Sequence, residues 1–235
     1  VSLVLSLDQI PQIPVQTQDE RLTTADATDD CLRQKQTTSS FYTTLDYEPY
    51  AGYYTAESYC RGGGTRFTNI TIPKGPTITS AYLKLCSYGD YDVTTVNSRI
   101  SGYDADDATT FSTLADFDTK FASKTSAVVN WDAIGSWSDG VWYSSPDIKT
   151  VVQEIVDRVG WSSGNDLIIF WEDFDDRSTH TDGARRAAQS HDLNSSNAAK
   201  LEVTWTSGGE TKNFYGEINP QFTINHASTW TFNRY

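Results

Sequence analysis

The stretch PTITSAYLKLCSY (residues 76–88) decides the fold, because its side chains alternate along the chain between two sets. Successive side chains of a strand point to opposite faces of a sheet, so this alternation predicts a strand with one face in a core. One face carries Ala81, Leu83 and Leu85, and the other carries Tyr82, Lys84 and Cys86.

Strand-like segments recur on both sides of this stretch. Aromatic residues make up 13% of the 235 residues, seven of them Trp, and this composition favours a β-sandwich over a helical bundle. The length suits one large domain with a sizeable core. The further strand-like segments are residues 65–73, 94–104, 125–131, 165–173, 183–190 and 198–205.

One segment, SSPDIKTVVQEIVDRVGW (residues 144–161), has the pattern of a helix. Ser145 is suited to cap it, Pro146 to be its first residue, and Asp147 to complement the positive end of its dipole. The pattern predicts one amphipathic helix over about 146–159, covering an open end of the sandwich. Its apolar stripe consists of Ile148, Val151, Val152, Ile155, Val156 and Val159.

Both ends of the chain carry strand-like sequence that a closed sandwich does not need. We predict an N-terminal arm over residues 1–28, a β-sandwich domain over 29–206 and a C-terminal arm over 207–235. Unpaired strands are prone to aggregate, so the arms should pair with their own domain or with a neighbour. The residues expected to pair are Val1, Leu3, Leu5 and Leu7 in the first arm and Phe222 and Ile224 in the second.

Charge and hydropathy narrow the classes of partner. The chain has 31 acidic and 18 basic residues, a formal net charge of −13, which disfavours nonspecific nucleic-acid binding. It has no run of 18 apolar residues, so no membrane insertion is expected. Three cysteines, Cys31, Cys60 and Cys86, allow at most one internal disulfide, with three free thiols as the alternative.

Acidic clusters at residues 26–30, 104–107 and 171–176 raise the question of a metal. Calcium prefers several oxygen ligands from one turn, and Asp104, Asp106 and Asp107 follow a Gly-Tyr bend, so they are the predicted Ca²⁺ ligands. The alternative is that these acids lie in solvated loops. No phosphate-binding or dinucleotide motif occurs, so no cofactor is expected to be required. The glycine run at residues 62–64 lacks a following Lys and predicts a turn before the strand that begins at Thr65.

Tyrosines crowd the stretch from residue 47 to residue 59. Aromatic rings with a polar rim form sugar-binding sites and protein interfaces, so we predict a ligand site here, with core or strand-edge tyrosines as the alternative. A glycosidase would need two carboxylates, which the acids of residues 172–176 or a partner such as His180 could supply, but no pair is identifiable. The predicted ligand-binding residues are Tyr47, Tyr50, Tyr53 and Tyr54.

Three segments occur in the order found in a known family: ITSAYLKL (78–85), SPDIKTVVQEIVDRVGWSSGNDLIIF (145–170) and RRAAQSHDLNSSNAAKLEVTW (185–205). Together they resemble the DNRLRE-type domain, a disaggregatase-related, carbohydrate-binding-module-like domain, over roughly residues 29–205. The resemblance implies a jelly-roll β-sandwich of the kind found in secreted carbohydrate-binding modules, cell-surface proteins and viral structural proteins. RRAAQS (185–190) departs from the family's usual Ser-Arg-Glu.

The sequence therefore predicts a non-enzymatic structural protein, a subunit of a virion surface or an extracellular filament. Its arms would pair with other copies of itself or with other structural subunits by β-strand addition. The alternative is a secreted or cell-surface carbohydrate-binding module that binds polysaccharide. A third hypothesis is a polysaccharide-degrading enzyme.

Overall fold

A computed structural model describes residues 16–18, 29–35, 39–43, 49–54, 59–91, 95–181, 184–206, 211–213 and 229–231. These residues form fourteen strands and two helices. The strands are β1 (Gln16–Gln18), β2 (Asp30–Lys35), β3 (Ser40–Tyr42), β4 (Tyr50–Tyr54), β5 (Tyr59–Phe67), β6 (Thr77–Cys86), β7 (Val96–Gly102), β8 (Val129–Ile134), β9 (Trp142–Ser144), β10 (Leu167–Glu172), β11 (Arg185–Ala187), β12 (Lys200–Thr206), β13 (Thr211–Asn213) and β14 (Thr229–Thr231). The helices are α1 (Leu114–Ala122) and α2 (Lys149–Val156).

Twelve of the strands form two antiparallel sheets that enclose a core, which confirms the predicted all-β sandwich, and β13 and β14 form a separate parallel pair. The smaller sheet has the order β1-β12-β6-β9, and the larger has β11-β4-β5-β10-β7-β8, with β2 paired to β5 and β3 paired to β2. β6 contains the alternating stretch that predicts a strand with one face in the core. It pairs along its length with β12, with Leu83 opposite Leu201 and Ala81 opposite Val203.

The core between the sheets is built from the alternating faces of their strands. Ala81, Leu83 and Leu85 of β6 are buried there, as the alternation predicted, and they meet Ile169 and Trp171 of β10. β10 is buried on its other face as well, where Phe170 packs into a second cluster of phenylalanines. A continuous apolar run is typical of a strand that is covered on both faces.

Helix α2 lies where it was predicted but is shorter, and the residues that precede it bond to β6, although Asp147 also accepts a hydrogen bond from the Lys149 N–H at the start of the helix. The Ser145 hydroxyl accepts a hydrogen bond from the Leu83 N–H at 3.0 Å, and the Asp147 carboxylate accepts one from the Ala81 N–H. Val159 is 90% exposed and does not belong to the apolar stripe. The other five stripe residues are buried, and the helix packs against β6 and β7, which belong to different sheets.

The prediction of a single helix was wrong, because α1 also forms. The Thr113 side chain accepts a hydrogen bond from the Asp116 N–H, and the Asp116 carboxylate accepts one from the Ser112 N–H. This is close to a capping box, and the Thr-x-x-Asp spacing was the available signal. Phe117 of α1 is buried against Phe170, so α1 covers the outer face of β10.

The glycine run at residues 62–64, which the sequence suggested as a turn, lies inside β5. A Cβ on Gly64 would be 2.5 Å from the Phe111 ring, and one on Gly62 would be 2.6 Å from the Phe174 ring. Close packing of the phenylalanine rings therefore requires glycine at 62 and 64, and at 63 a Cβ would be 2.1 Å from the Cys31 carbonyl oxygen of β2.

Candidate functional site

The first candidate site is the outer edge of β12, where β1 adds to the smaller sheet. β1 pairs antiparallel with β12, with Thr17 opposite Thr204 and Gln18 opposite Val203. β1 belongs to the predicted N-terminal arm, so a segment outside the predicted sandwich domain completes this sheet edge. Backbone pairing of this kind depends little on side-chain identity, so any chain that presents the same strand could make it.

The strand that receives β1 is held firmly by the domain. Leu201, Val203 and Trp205 of β12 are buried in the core, and β6 pairs with the whole of its inner edge. β12 is therefore a rigid template for an added strand. In the C-terminal arm, β13 and β14 pair parallel to each other. Six predicted arm residues lie outside the described residues: Val1, Leu3, Leu5, Leu7, Phe222 and Ile224.

The second candidate site contains the predicted ligand-binding tyrosines. Tyr47 lies outside the described residues. Tyr50 and Tyr53 are only 3% and 8% exposed, and the Tyr53 ring stacks on the His180 ring at 3.8 Å. These two rings are therefore closed to a sugar arriving from solvent. Tyr54, at the end of β4, is partly exposed and contacts two arginines.

We call Tyr50, Tyr54, Arg61 and Arg185 the arginine–tyrosine cluster. Gly52 of β4 is opposite Arg61 of β5 on one side and opposite Arg185 of β11 on the other. Residues paired across strands share a face of the sheet, and residues two apart along a strand do so too. The register thus places the two arginines on either side of Gly52, with a tyrosine two residues away in each direction.

A glycine is required at position 52, between the two arginines. Its φ is +109°, a value that side-chain-bearing residues rarely adopt, and a Cβ there would be 2.8 Å from the Arg185 Cα. The backbone of β11 can therefore approach β4 closely enough for Arg185 to reach Tyr54. This arrangement was invisible in the sequence, where the two residues are far apart.

Each guanidinium lies against aromatic rings. The Arg61 Cζ is 4.6 Å from the Tyr50 ring centre and 4.2 Å from the Tyr54 ring centre, and the Arg185 Cζ is 4.5 Å from the Tyr54 ring centre. Each such contact stabilises a cation by about 0.5–2 kcal/mol. Two guanidinium carbons this close to one ring are at most about 9 Å apart, and two positive charges at that distance repel by roughly 2 kcal/mol at an effective dielectric constant of about 20.

Within the described part of the chain, no carboxylate neutralises Arg61 or Arg185. The Nε of Arg61 and the Nε and Nη1 of Arg185 are buried without a hydrogen-bond partner. The neighbouring Arg186 donates to the carbonyls of Ile134 and Gly135 instead. By contrast, five other described arginines pair with aspartates: Arg33, Arg66, Arg99, Arg158 and Arg177.

The three predicted calcium ligands have partners within the protein. Asp104 and Asp106 both pair with the Arg158 guanidinium, and the Asp107 carboxylate accepts a hydrogen bond from the Asp166 N–H at 2.9 Å. The cation that Asp104 and Asp106 face is the Arg158 guanidinium. Across the described ranges, no group of three or more His, Cys, Asp or Glu residues is arranged to hold a metal ion.

The acidic loop after β10 uses its carboxylates to hold its own shape. The Glu172 carboxylate accepts a hydrogen bond from the Phe174 N–H, and Asp173 accepts hydrogen bonds from the Arg177 and Ser178 N–H groups at 2.7 and 3.0 Å. Burial raises the pKa of both carboxyls above their usual range. Asp176 contacts His180 at 2.5 Å and Asp175 pairs with Arg99, so these acids have structural partners.

All three cysteines are free thiols, which was the alternative to a disulfide. Cys31 and Cys86 are buried, and Cys60 is partly exposed. Burial, reinforced by the nearby Asp176 carboxylate, raises the pKa of the Cys60 thiol to about 12. A nucleophilic cysteine needs a lowered pKa, so Cys60 is unsuited to that chemistry.

Comparison with known proteins gives no family model that matches the chain and no match among curated proteins. The resemblance to the DNRLRE-type domain therefore stays a prediction. None of the helices in the described residues is both long enough and apolar enough to cross a membrane.

Proposed function

We propose that the chain is a non-enzymatic structural subunit of a virion surface or an extracellular filament, and that it assembles by β-strand addition. The observation that carries this proposal is the antiparallel pairing of β1 with the outer edge of β12. It supplies both halves of a strand-addition interface, a donated strand from the arm and a receiving edge on the domain.

The shortness of β1 favours exchange between chains. β1 has three residues, so the backbone hydrogen bonds that hold it are few. When the same segment of a neighbouring chain takes its place, the same bonds form again, and the exchange costs little enthalpy. The two prolines between residues 8 and 15 favour an extended tether between β1 and the strand-like residues 1–7, which would give those residues reach.

The charge and the resemblance agree with this proposal. A net charge of −13 keeps a chain soluble before assembly. Pairing at the β12 edge therefore has to be specific rather than the result of nonspecific association. The DNRLRE-type domain that the chain resembles occurs in cell-surface and viral structural proteins, which supports the proposed location.

The experiment is to block the backbone pairing of β1. In Gln16→Pro/Thr17→Pro the backbone N–H groups of two β1 residues are lost, whereas Gln16→Ala/Thr17→Ala keeps them and serves as the matched control. Light scattering after gel filtration and negative-stain electron microscopy should show assemblies for the wild type and the alanine control and monomers for the proline variant. Equal assembly of the proline variant would refute strand addition by β1.

A carbohydrate-binding module is the second candidate, favoured by the partly exposed Tyr54 beside two arginines. A glycan array should then show binding that Tyr54→Ala abolishes. The exposed Tyr42 is the matched control, because it lies on β3, away from the arginine–tyrosine cluster. Binding that is lost equally in Tyr42→Ala would exclude this candidate.

A further inference from the structure

We propose that Arg61, Arg185 and Tyr54 form a binding site for a small oxyanion, meaning a carboxylate or sulfate group, either free or carried on a sugar. The proposal is independent of assembly, since β4, β5 and β11 belong to the larger sheet and β1 pairs with the smaller one.

The first argument is the unsatisfied donors. Arg61 is only 6% exposed, yet its Nε has no hydrogen-bond partner, and Arg185 has two buried nitrogens in the same condition. Leaving buried N–H groups of a charged side chain without acceptors is costly, so such groups normally have a partner. A guanidinium presents its donors as a planar fork that matches the oxygens of a carboxylate or sulfate.

The second argument is charge. The protein is strongly acidic, and the structure pairs five other arginines with aspartates. Two adjacent guanidinium groups that lack such a partner in the described residues form a local positive site in a negative molecule. The negative charge of an oxyanion between them would offset their mutual repulsion. Its oxygens would also accept hydrogen bonds from their free N–H groups.

The third argument is access and size. Arg185 and Tyr54 are partly exposed, whereas Arg61 and Tyr50 are buried, so an anion would enter past Arg185 and stop at Arg61. Because the β11 backbone lies against Gly52, where a Cβ would be 2.3 Å from the Ala184 carbonyl oxygen, the ligand group would contact the guanidinium groups and not the Gly52 backbone. The buried inner half limits the ligand group to a few atoms, which is why we assign a single oxyanion group rather than a polyanionic chain.

The test measures anion binding by the full chain, using Arg185→Gln as the variant and Arg99→Gln as the matched control. Arg99 is an arginine of the same sheet, on β7, that already pairs with Asp175. Thermal unfolding and calorimetric titration are run with sodium sulfate, acetate and glucuronate against sodium chloride at equal ionic strength. Circular dichroism checks that each variant is folded. If Arg185→Gln is unfolded, Arg185→Lys replaces it, because lysine keeps the positive charge but lacks the planar set of N–H donors.

We expect saturable binding of sulfate and acetate beyond any effect of chloride. Removing one charged hydrogen-bonding partner should raise Kd by about tenfold to a hundredfold in Arg185→Gln and leave Kd unchanged in Arg99→Gln. Tighter binding of glucuronate than of acetate would assign the oxyanion to a sugar, and equal binding would assign it to a free ion. The proposal is overturned if sulfate and acetate act no differently from chloride, or if Arg185→Gln binds them as the wild type does.

Discussion

Asp30 should make the stability of this protein fall as the pH rises from 4 to 7. Its side chain is fully buried at the start of β2, where one carboxylate oxygen accepts a hydrogen bond from the His191 N–H at 2.8 Å and the other has no partner. Burial, with smaller contributions from the charges of Asp192 and Asp29, raises the pKa of Asp30 from 3.8 to about 7.

The sign follows from which state binds the proton. Between pH 4 and pH 7 the folded protein holds a proton on Asp30 that the unfolded chain has released, so the free energy of unfolding decreases with rising pH. A rise from 3.8 to about 7 corresponds to about 4 kcal/mol, at 1.36 kcal/mol per pK unit. The penalty is absent below pH 4 and complete above pH 7.

Urea unfolding followed by tryptophan fluorescence at unit steps from pH 4 to pH 8 measures the effect. Relative to the wild type, Asp30→Asn should gain up to about 4 kcal/mol between pH 4 and pH 8, because asparagine carries no charge to bury. Asp116 is a control that should not change over this range: although burial opposes it, the hydrogen bond from Lys120 lowers the pKa of Asp116 below 3.8, so its contribution is lost only as the pH falls below 4. Parallel pH curves for the wild type and Asp30→Asn would refute the reasoning.

Two further predictions concern packing and are measured by the same urea unfolding at pH 7. Val152→Ala should cost about 2–3 kcal/mol, because it removes buried methyl groups of α2 and leaves a cavity, whereas the exposed Val159→Ala should change stability by less than about 0.5 kcal/mol. Equal losses would contradict the observed end of α2. Gly64→Ala should lower the free energy of unfolding by about 1–3 kcal/mol, because the added methyl group clashes with Phe111. Gly135→Ala, where the methyl group has open space, should lower it by less than half as much. Equal losses would contradict the packing role of the glycine run.

The elements that the sequence predicted well are those whose burial has a local period. The alternation in β6 and the stripe from Ile148 to Val156 are set by which face of one element meets the core, and both appear as predicted. The start of α2 was less predictable, because Ser145 and Asp147 find partners on β6 that are distant in sequence. The sequence also suggested the wrong role for residues 62–64, since their need for glycine comes from the rings of Phe111 and Phe174 and from the backbone of β2, all distant in sequence.

The candidate sites depend even more on pairing between strands. The sequence drew attention to Tyr50 and Tyr54 and noted the unusual arginines of β11, but it could not show that Gly52 brings Arg61 and Arg185 together. The acidic clusters were identified correctly as clusters. Their partners were not, because the arginine that neutralises Asp104 and Asp106 comes from the turn after α2.

Interchain crosslinking between Thr17 and Thr204 tests the proposed strand addition most directly. The two residues are opposite each other in the β1–β12 pairing, where Cα atoms are about 4.5–5.5 Å apart, within the range that a disulfide spans. One chain carries Thr17→Cys and a second, of different size, carries Thr204→Cys, both with Cys60→Ser. Glu202→Cys, which is two residues out of register on β12, replaces Thr204→Cys in the control.

After the two chains are mixed and oxidised, strand addition predicts a disulfide-linked heterodimer with Thr204→Cys and little of it with Glu202→Cys. If the disulfide forms only when both cysteines are placed in one chain, and never between mixed chains, β1 completes its own sheet and the assembly proposal is contradicted.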